Sequence, residues 1–227
     1  MSENQQPNAS GSEEEKRSGE VPKKRRARPE FLDAAFWESR YQQEDTGWDV
    51  GYATTPITDW FDRYQDQGLS KSSRILIPGA GRAYEAEYLH RQGFSQVHVL
   101  DWSQAALDAL KSRVPDFPDA NLFQGDYFRH EGSYDVLVEQ TFFCAIDPGL
   151  RSQWASHSAS LLNSGGRHVG LFFNFPFDPD FGPPFGGSEA DYREILNRHL
   201  ELESLEPATN SIKPRLGSEL FFVARKA

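Results

Sequence analysis

Short apolar runs alternate with amphipathic segments along most of this chain, and this alternation constrains the fold more than any other feature. Strand-like runs occur at 74–77, 97–100, 121–124, 134–139 and 167–172. The segments 83–92, 103–113 and 148–162 have the periodicity of amphipathic helices. Strands that alternate with helices form a mostly parallel sheet with helices on both faces. The sequence therefore predicts an α/β fold.

The last part of the chain departs from this alternation. A predicted helix at 188–200 is followed by two strands, near 201–206 and 219–225, with no clear helix between them. Parallel neighbours need a long crossover connection, which is usually a helix, so a pair without one favours an antiparallel arrangement. We therefore expect a seven-stranded sheet in which one strand, near the end of the chain, is antiparallel.

The first 30 residues differ in composition from the rest of the chain. They contain no aromatic residue, and an acidic run at 13–15 precedes a basic run at 23–28. Such a segment cannot bury enough apolar surface to offset its ordering entropy. We interpret 1–30 as a disordered charged tail and 31–227 as the folded domain, with short helices predicted at 31–42 and 56–64. The basic run is typical of a nuclear signal or a polyanion contact, but a solubilising tail is the simpler interpretation.

Net charge and cysteine content argue against several classes of function. The 24 basic and 34 acidic residues give a net charge of −10, whereas nucleic-acid binding requires a basic face. No apolar run approaches the roughly 18 residues of a membrane span, and the N-terminus lacks the apolar core of a secretory signal. Cys144 is the only cysteine, which excludes an intrachain disulfide and a cysteine-cluster metal site. We expect a cytoplasmic protein that needs no metal.

The ends of the first two predicted strands carry residues typical of a nucleoside site, and ligands of open α/β sheets bind at such carboxyl ends. The first strand leads into Gly79–Ala80–Gly81, which lets the backbone approach a ligand closely. Asp101 ends the second strand, 20 residues past Gly81, where a carboxylate accepts hydrogen bonds from ribose hydroxyls. Trp102 could lie against an adenine ring. The alternatives to a nucleoside site are a tight strand-to-helix turn at Gly79–Ala80–Gly81 and an ordinary helix N-terminus after Asp101.

Three further strand ends carry candidate ligand contacts. Asp126, after the third strand, is placed to read the edge of adenine. Glu139 and Gln140 end the fourth strand, and Glu139 either orients nearby backbone or faces the ligand. The phenylalanine-rich segment 172–185 after the fifth strand is too aromatic for a solvated loop. It forms either a wall of the pocket or a cap on the core.

Together these strand ends describe an adenosine site without a phosphate site. Tyr84 stands where a dinucleotide-binding loop carries its third glycine, and no cluster of Lys or Arg is available for a pyrophosphate. This combination favours S-adenosylmethionine over a nicotinamide dinucleotide. A dehydrogenase is correspondingly disfavoured.

Several motifs, in order and spacing, resemble those of the thiopurine S-methyltransferase family, and most closely its branch of plant and bacterial halide and thiol methyltransferases (the "harmless to ozone layer" proteins). The resemblance covers about residues 36–225. Matching segments are Phe36–Trp37–Glu38, Thr46–Gly47–Trp48–Asp49–Val50–Gly51, Leu76–Ile77–Pro78–Gly79–Ala80–Gly81, Leu100–Asp101–Trp102–Ser103, Gly125–Asp126–Tyr127–Phe128, Phe143–Cys144–Ala145–Ile146–Asp147–Pro148, Arg151, Trp154 and Gly182–Pro183–Pro184–Phe185.

The resemblance implies a class I methyltransferase (Rossmann-like) fold with an N-terminal helix covering the cofactor, S-adenosyl-L-methionine, whose product is S-adenosyl-L-homocysteine. Three positions depart from the family pattern: Tyr41 stands where relatives often carry Trp, Ala80 where they often carry Cys, and Gln140 where they carry Tyr or Arg near the substrate. The departure at Gln140 leaves the acceptor open. The expected cofactor contacts are Trp37, Tyr41, Trp48, Gly79, Ala80, Gly81, Asp101, Trp102, Asp126, Tyr127 and Gln140.

The implied chemistry is direct SN2 transfer of a methyl group to a small soft nucleophile: a thiol such as methanethiol, hydrosulfide or a halide. Glu139 is a candidate base for a thiol acceptor, although a structural role is equally consistent. A bulkier aromatic or heterocyclic thiol and a non-catalytic cofactor-binding protein are the alternatives, and we expect a monomer. The predicted substrate pocket consists of Trp48, Gln140, Phe142, Phe143 and Phe177.

Overall fold

The computed structural model describes residues 26–227, and the greater part of the predicted tail lies outside this range. The helices are α1 (Ala34–Gln42), α2 (Thr55–Asp62), α3 (Tyr84–Arg91), α4 (Gln104–Arg113), α5 (Arg151–Leu161) and α6 (Glu189–Asn197). The strands are β1 (Ile75–Pro78), β2 (Val97–Asp101), β3 (Leu122–Gln124), β4 (Tyr134–Gln140), β5 (Leu162–Phe173), β6 (Glu201–Pro207) and β7 (Glu219–Arg225).

The strands form one seven-stranded sheet in the order β3-β2-β1-β4-β5-β7-β6. Strands β1 to β5 pair in parallel, whereas β7 runs antiparallel to both of its neighbours, β5 and β6. The predicted fold class, a mostly parallel sheet with one antiparallel strand, is therefore confirmed. The chain reverses its direction across the sheet between β1 and β4, and this switch point opens a crevice at the carboxyl ends of the strands.

Side chains alternate across the sheet, so each strand contributes to two cores. Ile75 and Ile77 of β1 face the core under α2, α3 and α4, and Leu76 faces the core under α5 and α6. Trp154 of α5 is fully buried in the second core, where its ring lies 4.7 Å from that of Phe143. Burial of one such large side chain contributes about 1.5–3 kcal/mol.

Capping side chains set the starts of three helices. The Ser103 hydroxyl accepts a hydrogen bond from Ala106 N, which confirms Ser103 as the predicted N-cap of α4. Asp33 caps α1, and Ser188 with Asp191 forms a capping box at α6. The predicted helix at 148–162 is divided into a 3₁₀ turn at Pro148–Leu150 and helix α5.

Strand β5 is longer than the sequence predicts. It begins at Leu162 rather than at Arg167, because the glycine pair Gly165–Gly166 lies inside the strand instead of ending the preceding helix. Gly166 packs tightly against backbone oxygens of its neighbours, so only a residue without a Cβ fits there.

Residues 26–30, which we predicted as the end of the charged tail, lie against the folded domain. The backbone of Arg26 and Arg28 pairs with that of the phenylalanine-rich segment, through Gly182 N to Arg26 O (3.0 Å) and Arg28 N to Asp180 O (2.9 Å). The Arg28 guanidinium also forms an ion pair with Asp147. Within residues 26–227, none of the helices has the length and apolar character needed to cross a membrane.

The pairing of β5 with β4 predicts that Gly170→Ala destabilises the protein. A Cβ at position 170 would lie 2.1 Å from Glu139 O, so the two central strands would have to separate. Overpacking of this kind costs about 1–3 kcal/mol, and we expect a lower urea midpoint at an unchanged m-value. Gly47→Ala, where a Cβ meets nothing within 4 Å, is the control. Equal stability of the two variants would contradict the β4–β5 register.

Candidate active site

A cavity of about 820 Å³ lies at the carboxyl ends of the strands, where the switch point opens the sheet. At one end it is lined by residues that follow β2 and β3, and in the middle by the loop after β1. The other end is lined by residues that follow β4 and β5 or precede β7. Because the sheet order is β3-β2-β1-β4-β5-β7, these groups form one continuous row along the sheet.

The loop after β1 requires glycine for close packing. Gly79 and Gly81 both have left-handed backbone conformations, with φ of 55° and 56°. A Cβ on Gly79 would lie 2.2 Å from the ring of Phe142, and one on Gly81 would lie 2.6 Å from the Tyr41 hydroxyl. The two glycines therefore let the strand-end turn and helix α1 approach the loop from opposite sides.

Asp101 at the end of β2 is a fixed carboxylate in the cavity wall. Its oxygens accept hydrogen bonds from Gly81 N and Ser103 N, each at 2.8 Å. Burial raises the pKa of Asp101 above its ordinary value, and these two N–H groups oppose that shift. The carboxylate keeps lone pairs toward the cavity, where it can accept hydrogen bonds from a pair of vicinal hydroxyls.

Asp126 and Tyr127, after β3, form the next part of the wall in different ways. The Asp126 carboxylate accepts a hydrogen bond from Phe128 N at 2.9 Å and lines the cavity beside Trp102. The Tyr127 hydroxyl is instead hydrogen-bonded to Ser158 at 2.7 Å. Only the ring of Tyr127, which packs edge-on against Phe142, faces the cavity side.

Three aromatic residues of the N-terminal segment cover the cavity. The Trp48 ring packs edge-on against Trp37 at 5.6 Å and Tyr41 at 5.7 Å between ring centroids. Burial raises the pKa of the Tyr41 hydroxyl, so this group stays protonated. The Glu38 carboxylate lies at the N-terminus of α4, 3.5 Å from Ala105 N, and holds α1 over the end of β2. The sequence did not single out Glu38 for this role.

Glu139 lies beneath the cavity and does not line it. One carboxyl oxygen accepts hydrogen bonds from Phe142 N and Phe143 N, both at 2.9 Å, and the side chain is fully buried. Burial raises the pKa of Glu139 to about 8. The carboxyl supports the turn after β4, which is the structural role that the sequence leaves open beside that of a catalytic base.

The substrate pocket predicted from the sequence needs two corrections. Phe143 is 1% exposed and packs against Trp154 and Phe172 in the core. Phe177 is 43% exposed and points outside the cavity, toward Phe185 and Arg151. The first error arises because Phe142 and Phe143 lie in the irregular turn after β4, where no strand or helix period predicts the direction of a side chain. The aromatic and proline side chains that line this end of the cavity include Phe142, Phe173, Phe175, Pro183 and Pro184.

Gln140 and Cys144 complete this end of the cavity. Gln140, the last residue of β4, lines the cavity as predicted from the sequence pattern. The Cys144 thiol donates a hydrogen bond to Thr141 O at 3.4 Å, and burial raises its pKa to about 12. The thiol therefore remains neutral and forms an unreactive part of the wall.

Arg215 is a cavity residue that sequence reasoning missed. Its guanidinium donates to Trp48 O at 2.8 Å and to Glu219 at 3.4 Å. The sequence carried one signal for this position, since Arg215 lies just before the last strand. That strand runs antiparallel to β5, so its first residues lie beside the end of β5, at the edge of the sheet that carries the cavity.

The residues present fit an adenosine-containing sulfonium cofactor. The glycine cradle after β1, the oriented Asp101 carboxylate and the aromatic cluster of Trp37, Tyr41 and Trp48 supply close backbone approach, hydroxyl recognition and a face for a cation. This combination on a seven-stranded sheet with one antiparallel strand defines the class I S-adenosylmethionine-dependent methyltransferases.

Comparisons with known proteins identify the family within that class. The family model for thiopurine S-methyltransferase matches residues 32–220. A probable thiol methyltransferase 2 of Arabidopsis thaliana is 30% identical, over 81% of this chain and 81% of that protein. Thiocyanate methyltransferase 1 of Brassica oleracea is 28% identical, over 84% of each chain. The chain therefore belongs to the thiopurine S-methyltransferase family, as the sequence motifs predict.

Solved structures give the same fold. The crystal structure of a Burkholderia thailandensis 1,6-didemethyltoxoflavin-N1-methyltransferase with bound 1,6-didemethyltoxoflavin and S-adenosylhomocysteine superposes with a TM-score of 0.68 at 17% identity. The superposition covers 86% of this chain and 88% of that chain. At this identity the likeness concerns the fold alone. Together with membership of the family, it establishes the protein as an S-adenosylmethionine-dependent methyltransferase.

We predict that Asp101→Asn weakens cofactor binding at least about tenfold, which corresponds to about 1.4 kcal/mol. The amide replaces one acceptor oxygen by a donor and disturbs the bonds to Gly81 N and Ser103 N. Calorimetric titration with S-adenosylhomocysteine measures the loss. Asp108→Asn, at an exposed site on α4, is the matched control. Wild-type affinity in Asp101→Asn would rule out the assigned role.

The placement of Glu139 predicts a pH-dependent difference in stability between the wild type and Glu139→Gln. The folded-state pKa of about 8 lies above the ordinary 4.5, so the unfolded chain releases this proton first as pH rises. The wild type therefore loses stability relative to Glu139→Gln between about pH 5 and 8, by up to about 1.4 kcal/mol per pH unit. Urea unfolding of both proteins at several pH values measures this. Parallel stability curves would contradict a buried, uncharged carboxyl.

Proposed function

We propose that this enzyme transfers a methyl group from S-adenosylmethionine to a small soft nucleophile: a thiol, hydrosulfide or a halide. The observation that carries this proposal is the apolar end of the cavity, enclosed by Phe142, Phe173, Phe175 and the Pro183–Pro184 pair. A soft, weakly hydrated acceptor loses little on entering such a site, whereas a hard nucleophile loses its strong hydration. The thiol and thiocyanate methyltransferases among the relatives support the same acceptor class.

The cofactor is assigned to the half of the cavity formed by β1, β2 and β3. Asp101 would accept hydrogen bonds from the ribose hydroxyls, and Asp126 would contact the adenine edge beside Trp102. Trp37, Tyr41 and Trp48 would enclose the sulfonium end through their ring faces. When bound, S-adenosylmethionine supplies an electrophilic methyl group, whose bond to sulfur breaks with its electron pair left on sulfur as the acceptor's lone pair bonds to carbon.

The chain's contribution to the rate is positioning and exclusion of water. The glycine loop, the turn after β4 and helix α1 confine both reactants in one continuous cavity. Alignment of two reactants contributes about 7–11 kcal/mol in well-oriented systems. The aromatic wall removes water from the attacking atom, which raises its reactivity. In this proposal Glu139 supports the turn after β4, and a soft acceptor that is already ionised needs no base.

A bulkier aromatic or heterocyclic thiol is the second candidate acceptor. The cavity of about 820 Å³ is at the large end of the range of small-molecule sites, and the family takes its name from thiopurine methylation. Gln140, where relatives carry Tyr or Arg, lines this end and would be a contact of a larger acceptor.

An acceptor panel separates these candidates. We expect S-adenosylhomocysteine formation with hydrosulfide, methanethiol and iodide at kcat/KM values at least about tenfold above that for an aromatic thiol, because the proposal assigns the apolar end of the cavity to a small acceptor. Headspace analysis identifies the methylated product. A preference for the aromatic thiol would establish the second candidate. Cofactor binding without turnover of any soft acceptor would refute both and leave a non-catalytic binding protein.

A further inference from the structure

Glu85 is a buried carboxyl in the cavity wall that no step described above uses. It lies in the first turn of α3, four residues after Gly81 of the glycine loop. The residue is 5% exposed, and it borders the cavity together with Gly79 and Gly81. The sequence therefore places a carboxyl beside the loop that we assign to the cofactor.

One carboxyl oxygen of Glu85 has a structural role. Its Oε1 accepts hydrogen bonds from the backbone N–H of Thr54 at 3.0 Å and from the Thr54 hydroxyl at 3.1 Å. Thr54 is the N-cap residue of α2, so these bonds fix the start of α2 against α3 and set the direction of the Glu85 side chain. An amide oxygen would accept the same two bonds, so the anchoring of α2 does not by itself explain why this position carries an acid.

A buried carboxylate is unfavourable unless donors or a cation face it. Burial raises the pKa of Glu85, whereas the bonds from Thr54 and the charge of Arg215 oppose that shift. The Arg215 guanidinium is directed to Glu219 and to Trp48 O. The Glu85 carboxylate can therefore accept a further cationic partner from the cavity side.

The other acidic side chains of the cavity wall have partners or assignments of their own. Within the described residues, the acids that line the cavity besides Glu85 are Asp49, Asp101, Asp126 and Asp147. Asp49 and Asp147 each form an ion pair with an arginine, at 2.8 Å and 2.5 Å. Asp101 and Asp126 are assigned to the nucleoside. Glu85 is thus the acid of the wall that is left for a cation.

We propose that Glu85 binds the α-ammonium group of the cofactor and so holds its amino-acid tail. S-adenosylmethionine and S-adenosylhomocysteine both carry this group, on the chain that leaves the sulfur away from the ribose. Asp101, which we assign to the ribose, is bonded to Gly81 N at 2.8 Å, so the tail leaves the nucleoside beside the glycine loop. An ammonium donates charge-assisted hydrogen bonds to a carboxylate, and a buried pair interacts more strongly than an exposed one.

Recognition of the tail has two consequences for the cofactor. When the ribose and the tail are both held, the sulfonium between them is fixed from two sides, which orients its methyl group for transfer. Contact with the tail also distinguishes the cofactor from nucleosides without an amino-acid tail, such as 5′-methylthioadenosine. The inference rests on the cofactor placement proposed above and not on the identity of the acceptor.

The first test compares ligands with and without the tail. S-adenosylhomocysteine and 5′-methylthioadenosine are titrated calorimetrically into the wild type and Glu85→Gln, whose amide keeps an acceptor for both Thr54 groups. We expect the variant to bind S-adenosylhomocysteine at least about tenfold more weakly, and 5′-methylthioadenosine within about twofold of the wild type. Equal loss for the two ligands, or no loss for either, would overturn the proposal.

Glu87→Gln is the matched control for the loss of charge. It removes a carboxylate from the same helix, but Glu87 pairs with Arg91 and Arg113 and lies outside the cavity wall. We expect wild-type affinity for both ligands. A selective loss of S-adenosylhomocysteine binding as large as that of Glu85→Gln would mean that the charge of α3 is responsible and not contact with Glu85, which would refute the assignment.

A second comparison identifies the group of the tail that Glu85 binds. The decarboxylated analogue of S-adenosylhomocysteine keeps the amine, whereas the deaminated analogue keeps the carboxylate. We expect Glu85→Gln to weaken binding of the decarboxylated analogue at least about tenfold and to leave binding of the deaminated analogue within about twofold. The reverse pattern would contradict an ammonium contact.

The wild-type protein alone tests the proposal if Glu85→Gln fails to fold. We expect the deaminated analogue to bind the wild type at least about tenfold more weakly than S-adenosylhomocysteine, because the Glu85 carboxylate then lacks its cation. Equal affinity would overturn the assignment. None of these measurements uses an acceptor. Glu85-dependent recognition of the tail without turnover of any soft acceptor would support Glu85 while refuting the proposed function, and turnover without such recognition would do the reverse.

Discussion

The hydrogen bonds of the Asp101 carboxylate determine the arrangement of the cavity end at which we propose that the cofactor binds. The carboxylate joins the loop after β1, through Gly81 N, to the start of α4, through Ser103 N, and it does so from the end of β2. Burial raises the pKa of this carboxyl, and the two N–H groups oppose that shift because they stabilise the charged form. The same bonds orient its remaining lone pairs, so the constraint that stabilises the loop also prepares the site.

Glu139 performs a similar task on the other side of β1. Thr141 has a left-handed conformation with φ of 59°, which is unfavourable for a β-branched residue, and the turn that contains it is fastened by two N–H bonds to Glu139. This fixes the Phe142 ring against Gly79. Two buried carboxyls, at the ends of the strands that flank β1, thus hold the loops on both sides of the switch point.

The sequence pattern was sufficient for the fold but only for half of the site. Alternating strands and helices, and local signals such as Ser103, determine the sheet and place Gly79, Asp101 and Asp126 at strand ends, because periodicity and capping are properties of short segments. The direction of a side chain inside an irregular segment is not such a property, so Phe143 and Phe177 were assigned to the wrong surroundings. Arg215 and Glu38 act through contacts between distant segments, and only the three-dimensional structure brings those segments together.

Trp48 connects the two ends of the cavity. Its ring packs against Trp37 and Tyr41, which line the cavity beside the glycine loop, and its backbone oxygen accepts a hydrogen bond from Arg215, which lines the opposite end. A ligand that restrains either partner therefore also restrains the loop that carries Trp48. Because coupling between two sites is reciprocal in free energy, we expect that a reactant which restrains this loop also favours binding of the other reactant. The enclosure of both reactants is then a property of one shared loop and not of two independent sites.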